Sequence, residues 1–260
     1  MSTTAIGITG LLASLVPIGI AVALSASQRL HLSATIGWAV VRAGVQLLVV
    51  GAALGLILDP DAPMALAWAW VVLMIGVAAA TVRHRAPEVP GILVLATCAM
   101  GAVVAVNLCV MFGFGIFPLE ARTLIPLVGL MVGNSMSATV VISRRVVGEL
   151  SDKRPEVEAR LALGHPWPEA ARPYVRSALR TALLPQIETT KAVGLVFLPG
   201  AMTGLILAGV DATDAVMVQL AIMYLVLGSV ATSVAVIGLG LTRRLFTPDH
   251  RLRPLRRATV

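Results

Sequence analysis

Residues 90–114, PGILVLATCAMGAVVAVNLCVMFGF, contain no charged side chain. About 20 apolar residues in a helix cross a hydrocarbon core of about 30 Å, so a run of this kind is expected to leave water. Comparable runs lie at roughly 5–26, 35–58, 65–82, 122–143, 186–208 and 215–242. The third is short and the second carries Arg42. Together they predict an all-α, polytopic integral membrane protein with about seven transmembrane helices, forming a single transmembrane domain over residues 1–260. The composition agrees: 58% hydrophobic and 13% charged, where soluble domains run near half and a quarter.

The formal charge is +7 and the pI about 10.7. In a soluble protein this balance suggests nucleic acid as a partner. Here the basic residues fall between and after the apolar runs, so they are read as a topology signal and no nucleic acid is expected. The connections alternate. Arg29 and His31 follow the first run, Asp59 and Asp61 the second, Arg83, His84 and Arg85 the third, and Glu120 with Arg122 the fourth. Arg144, Arg145, Lys153, Arg154, Arg160, Arg172, Arg176 and Arg180 follow the fifth. Asp211 and Asp214 follow the sixth, and Arg243, Arg244, Arg251, Arg253, Arg256 and Arg257 the seventh. Lys and Arg concentrate on the cytoplasmic face. The N-terminus is therefore expected outside and the C-terminus in the cytoplasm, in a multi-pass protein of the cell membrane.

The opening MSTTAIGITG lacks a basic n-region and reads as the lead-in to a first helix. The basic tail, about 243–260, is expected to rest on anionic lipid, poorly ordered from Thr247 onward. Cys98 and Cys109 share one apolar run, about 16 Å apart along a helix. They cannot bridge each other there, and both are expected to be packing residues.

A polar insert, about 144–185, interrupts the apolar pattern. It reads as two short helices around a break. Pro155 suits a first turn, Glu156 and Arg160 form a four-residue pair, and Gly164 ends the first helix. Pro173 is expected to open the second, in which Val175, Leu179 and Leu183 make an apolar stripe flanked by Arg172, Arg176 and Arg180. Pro185 is expected to end it and to start the sixth span. An amphipathic loop resting on lipid and a docking element for a cytoplasmic motor both fit this pattern.

Glu158-Ala159, Ala162-Leu163-Gly164 and the later Leu184-Pro185 resemble the EAA-type cytoplasmic loop of ABC importer permeases, with Arg160 where a second Ala is common. Three further stretches resemble the FetB-type permease family: MVGNSMSATVVISRRV at 131–146, VGLVFLPGAMTGLILAG at 193–209, and Arg42-Ala-Gly-Val-Gln46-Leu-Leu. The resemblance implies the membrane-spanning subunit of an ABC transporter, a permease homodimer with separate ATPase subunits that carry ATP and Mg. It implies export of a metal such as iron, or, through plant relatives, aluminium tolerance and nucleotide-sugar transport. It also assigns ATPase coupling to Glu158, Ala159, Gly164 and Glu169. Ala201, Leu205 and Ser137 stand where the family usually has Met, Gln and Asn, and each change removes a soft or polar group.

The chain's own chemistry is sparse. No G-x-x-x-x-G-K-[ST] occurs, and neither Lys153 nor Lys191 follows a glycine. The chain is therefore not expected to bind nucleotide, hold a cofactor or act as an enzyme. His31, His84, His165 and His250 are scattered and assign no metal site. Polar groups inside spans are more informative, because they cost free energy unless they face protein or a cavity. Arg42 and Gln46, with Glu188 and Lys191, are candidates for a gate; snorkelling of Arg42 and a Glu188–Lys191 headgroup pair account for them equally well. Asn134, Ser135 and Ser137, and Pro199, Gly200, Met202 and Thr203, are candidates for a substrate pathway. Close packing at Gly129 and Gly133 is the plainer account of the fifth run. An ATP-independent channel or secondary carrier would use the same residues.

Overall fold

The computed structural model describes residues 7–195 and 198–254, leaving the side chains of Ile8, Thr9 and Leu11 undescribed. Arg256, Arg257, the start of the first run and residues 196–197 of the Leu-Pro-Gly stretch lie outside the described residues. The described chain is helical, with five helices long and apolar enough to cross a membrane. It is a polytopic membrane protein. It packs as two compact units, Met1–Ala62 and Pro63–Val260.

The first unit holds α1 (Ile8–Ala13), α2 (Val16–Ser27) and α3 (Ser33–Ile57). The first apolar run is thus two helices. Pro17 sits in the first turn of α2, where its missing N–H is not needed, and the chain breaks just before it. The turn into α3 places Arg29 and His31 at φ 52° and 56°. It is tied by Leu32 N–H donating to Ser25 Oγ at 3.1 Å. No residue of α3 is buried, so Arg42 and Gln46 are both exposed on it.

The second unit holds α4 (Met64–Arg85), α5 (Ile92–Gly113), α6 (Ala121–Asp152), α7 (Arg154–Ala162), α8 (Trp167–Ala192), α9 (Gly200–Leu207) and α10 (Ala212–Leu245). Helix α10 is central and packs on α5, α6, α8 and α9. Val103, Met111, Met131, Ile222 and Val226 form a core between α5, α6 and α10. Lipid tails are as apolar as such side chains, so small residues and internal hydrogen bonds must supply the close fit. Ala78, Ala79, Ala96, Ala99, Ala178 and Ala182 are buried accordingly. A Cβ added at Gly238 would meet Leu179 Cδ2 at 2.7 Å, so α8 presses onto bare α10 backbone there. Asn107, also buried, donates Nδ2 to Val103 O at 2.7 Å and to Ser229 Oγ at 2.8 Å, joining α5 to α10.

One end of this unit is basic and cross-braced. Arg144 Nε pairs with Glu88 Oε1 at 3.0 Å, and its Nη2 donates to the Arg85 carbonyl. Arg244 Nη1 reaches Gly91 O at 3.0 Å. The α4–α5 connection is thereby held by the C-terminal ends of α6 and α10. At the other end Asp211 caps α10, accepting from Thr213 N–H at 2.8 Å.

Four expectations are corrected. Helix α6 does not stop near residue 143 but runs to Asp152. At about 1.5 Å per residue it is longer than the hydrocarbon is thick, so its last turns project beyond it. Helix α8 opens at Trp167 with Pro168 in its first turn, and Pro173 and Pro185 both lie inside it. Packing through buried Ala170, Ala171, Tyr174, Ala178 and Ala182 carries the helix through both prolines, although Pro185 leaves the Thr181 carbonyl without its helical donor. The sixth run, 186–208, is not a continuous span: α8 ends at Ala192, Val193 is extended, and α9 begins at Gly200. The tail is ordered as far as it is described. Phe246 and Leu252 form an antiparallel bridge, and Thr247 N–H donates to Arg251 O at 2.9 Å.

Candidate functional site

A groove of about 370 Å³ opens between α6, α8 and α10, walled by Gly133, Asn134, Ser137, Pro185, Gln186 and Val230 among others. Two pathway candidates, Asn134 and Ser137, therefore meet in one place. Asn134 spends Nδ2 on the Leu130 carbonyl at 2.7 Å, which leaves its amide oxygen without a partner among the described residues. Gln186, which the sequence reading missed, adds a second amide. A wall of amides and a hydroxyl can offer neutral oxygens to a partly dehydrated cation or hydrogen bonds to a hydroxylated solute. A Cβ added at Gly133 meets nothing within 4 Å, so this glycine faces open space rather than a neighbouring helix.

Ser135 is turned the other way. It is buried with Thr139, and neither hydroxyl has a hydrogen-bond partner among the described residues. Pro199, Gly200, Met202 and Thr203 also stand apart from the groove. Pro199 is the N-cap of α9 and Gly200 its first residue. Thr203 Oγ1 donates to Pro199 O at 3.1 Å, and Met202 N–H donates to buried Gln219 Oε1 at 3.3 Å. Gln219 lies about 16 Å along α10 from Val230 of the groove wall. The broken segment is thus fastened near the acidic end of α10, while Asn134 lies at mid-helix depth. Glu188 pairs with Lys191 at 2.9 Å, both well exposed. Arg42 and Gln46 belong to the first unit, and neither makes a hydrogen bond or ion pair among the described residues. Cys98 and Cys109 are free. Among the described residues no three His, Cys, Asp or Glu side chains gather as a metal site.

The insert folds as α7, a turn, and α8. Gly164 has φ +89°, a conformation that costs an L side chain free energy. The turn closes through Gly164 N–H to Leu161 O at 3.0 Å and His165 N–H to Arg160 O at 3.2 Å. Glu158 is engaged by Arg154 Nε at 2.7 Å, and Glu169 faces His165 Nδ1 at 3.4 Å. Ala159 is exposed. The tip carries Leu163, 80% exposed.

Behind the tip the insert is braced. Glu156 accepts from Lys153 Nζ at 2.9 Å and from Tyr174 O–H at 2.9 Å, joining α7 to α8. Its carboxyl is held below the usual range by the Lys153 hydrogen bond first and the Tyr174 hydrogen bond second. Lys153 is raised by the same pair. Arg160 lies 5.9 Å from the Tyr174 ring centroid. The tail closes the other side: Trp167 stacks on Phe246, Trp167 N–H donates to His250 Nδ1 at 3.1 Å, and Arg154 Nη2 donates to Leu252 O at 3.4 Å. No sequence pattern announced this tail contact, because it joins segments far apart in the chain.

The sequence pattern of the uncharacterised protein family UPF0014 matches residues 8–246. UPF0014 membrane protein STAR2 of Oryza sativa is 36% identical over 220 residues, 83% of this chain and 75% of that protein. UPF0014 membrane protein YjkA of Bacillus subtilis is 34% identical over 83% of this chain and 86% of its own. The protein of Escherichia coli named Probable iron export permease protein FetB is 27% identical over 90% of each. No solved structure matches. With its fold and the order of its motifs on one side and these likenesses on the other, the chain belongs to the UPF0014 family of membrane proteins.

Proposed function

We propose that this chain is the membrane-spanning subunit of an ABC transporter in the cell membrane, energised by a separate P-loop ATPase that binds ATP and Mg. The observation that carries this reading is the continuity of α8. One helix runs unbroken from Trp167, beside the Gly164 turn, to Pro185 and Gln186 in the groove wall. At about 1.5 Å per residue the two ends lie roughly 27 Å apart on one rod. A motor that moves the turn moves the wall of the polar groove. A channel or secondary carrier needs no such rod, and no exposed Leu163 at its tip.

The basic end of the second unit faces the cytoplasm in this reading, and a second copy of the chain completes the permease. The cargo is a metal ion carried outward through the groove by neutral oxygens of Asn134, Ser137 and Gln186. Support for a metal comes from the name of the Escherichia coli relative and from Protein ALUMINUM SENSITIVE 3 of Arabidopsis thaliana, which is 32% identical over 85% of this chain.

The test is copurification and coupled transport with the cognate small P-loop ATPase. Leu163→Asp and Glu158→Arg are expected to lower ATPase retention at least tenfold while the membrane fold persists. Full retention and full transport in both variants would remove the motor reading and leave the carrier.

A further inference from the structure

A second groove, of about 390 Å³, lies on the basic end between the first half of α8 and the last turns of α10. Arg172 and Arg176 wall it from α8 and Arg243 from α10, while Val175, Leu179 and Leu239 line its apolar part. All three guanidinium groups are exposed, and none makes a hydrogen bond or ion pair among the described residues. On the same end Arg144, Arg154 and Arg244 are each committed to a carboxylate or a carbonyl; what sets Arg172, Arg176 and Arg243 apart from the other uncommitted arginines is that they converge on one groove.

The two helices run in opposite senses here, as the contacts of Trp167 with Phe246 and of Leu179 with the Gly238 backbone together show. Counting from the Leu179 contact, Arg172 and Arg176 on α8 lie on the same side of it as Arg243 on α10, toward the basic end. Leu179 and Leu239 lie about one turn deeper. Leu239 is 62% exposed within an apolar helix of spanning length. The groove therefore carries its three guanidinium groups between Trp167, Pro168 and Ala171 at its outer end and Leu179 and Leu239 at its inner end.

We propose that this groove seats an anionic phospholipid of the leaflet at the basic end, its phosphate held by Arg172, Arg176 and Arg243 and its glycerol and first acyl carbons lying on Leu179 and Leu239. The guanidinium fork matches phosphate oxygens in pairs. Basic residues beside an anionic surface each add to the attraction. A water-soluble protein would satisfy the arginines but would leave Leu239 exposed in a position that faces hydrocarbon. A free phosphate would leave the apolar half empty. This inference needs only that the chain spans a membrane, and it stands or falls separately from the transport reading.

The experiment is native mass spectrometry of the full chain released from nanodiscs of mixed phosphatidylglycerol and phosphatidylcholine. One retained phosphatidylglycerol per chain is expected. Arg172→Gln/Arg176→Gln/Arg243→Gln should reduce its retention at least tenfold, whereas Arg83→Gln/Arg145→Gln/Arg251→Gln, which removes the same charge elsewhere, should not. Leu239→Trp, which keeps every charge and fills the apolar half, should also reduce it, with circular dichroism melting showing the fold intact. Inorganic phosphate at high concentration should not displace the lipid. Equal loss in both triple variants, equal retention of phosphatidylcholine, or displacement by inorganic phosphate would each overturn the proposal.

Discussion

The ring of Trp167 stacks on that of Phe246 with centroids 5.5 Å apart and planes 22° apart. The first residue of α8 is thereby fixed to the residue that ends α10. Phe246 is only 3% exposed, so the stack is a packed joint and not a surface contact. Removing a buried phenyl ring costs about 3–5 kcal/mol in a core, and an aromatic pair adds about 1 kcal/mol. Phe246→Ala is expected to sit near the lower end, about 3 kcal/mol, because the joint lies at the rim of the fold. Its signature is local: hydrogen exchange should quicken at residues 163–170 and 246–252 and stay unchanged in α4 and α5. Uniform loss of protection would mean that the tail supports the whole bundle.

The Glu156 clamp gives a pH dependence of definite sign. Its carboxyl is depressed in the folded chain, by Lys153 and then by Tyr174. Such a group contributes stability above its unfolded pKa and loses it as pH falls through the lower folded value. Lys153, raised by the same contact, contributes below its unfolded pKa and loses that contribution as pH rises through its higher folded value. The Glu156 contribution to the α7–α8 junction should therefore be full at neutral pH, begin to fall within the ordinary carboxylate range and be gone once pH has passed below the lowered folded value. Protease nicking between residues 153 and 166, followed against pH, checks this. Glu156→Gln should abolish the acid step, and a step that survives in that variant would belong to another group.

Side of membrane is the next expectation. The α4–α5 connection, the end of α6 and the end of α10 share one end of the second unit through Arg144 and Arg244, and that end carries the excess of Arg. The positive-inside rule then orients all of them together. In a background lacking Cys98 and Cys109, cysteines at positions 59 and 211 should react with an impermeant thiol reagent in intact cells. A cysteine at 172 should react only after the membrane is opened. Labelling at 172 in intact cells would reverse the topology.

Much of this fold was legible because apolar length has one physical meaning. Runs near 35–58, 65–82, 90–114 and 215–242 all became helices with ends displaced by a few residues. The failures share a cause. Hydropathy could not see that α6 continues past Arg144 and Arg145, since Arg144 is stabilised there by an ion pair and a carbonyl at the projecting end. It could not see that α8 survives Pro185, because that depends on alanines buried against α6 and α10. The apolar stripe assigned to the insert was half right: Val175 is buried, but the packed face is mostly Ala170, Ala171, Ala178 and Ala182. Alanine is quiet in any periodicity argument, yet in a membrane it is the residue that lets helices close. In the same way Asn134 and Ser137 stand out in the sequence by polarity, whereas Gln186 does not, because it follows a proline that sequence alone reads as a boundary.

The groove itself yields the sharpest test, since two substitutions separate a route from a packing seam. Gly133 has open space where a Cβ would go, so Gly133→Leu inserts a side chain into the groove without displacing a neighbouring helix. If substrate passes there, transport should fall by an order of magnitude or more while assembly and thermal stability change little. If the groove is only a seam, filling it should be neutral or should raise stability, as added apolar contact does in a void. Asn134→Ala removes an amide oxygen that has no hydrogen-bond partner among the described residues and keeps the residue small. Along a route it should weaken substrate stimulation of ATPase activity more than it weakens basal hydrolysis. Its own helical bond to the Leu130 carbonyl is local, so losing it should cost no more than about 1 kcal/mol. Ser135→Ala supplies the contrast, because Ser135 is buried away from the groove with an unpartnered hydroxyl. That change should leave transport intact and stability equal or higher. If all three variants transport as the parent chain does, the groove carries no cargo, and α9, fastened to Gln219 through the Met202 N–H, becomes the place to look.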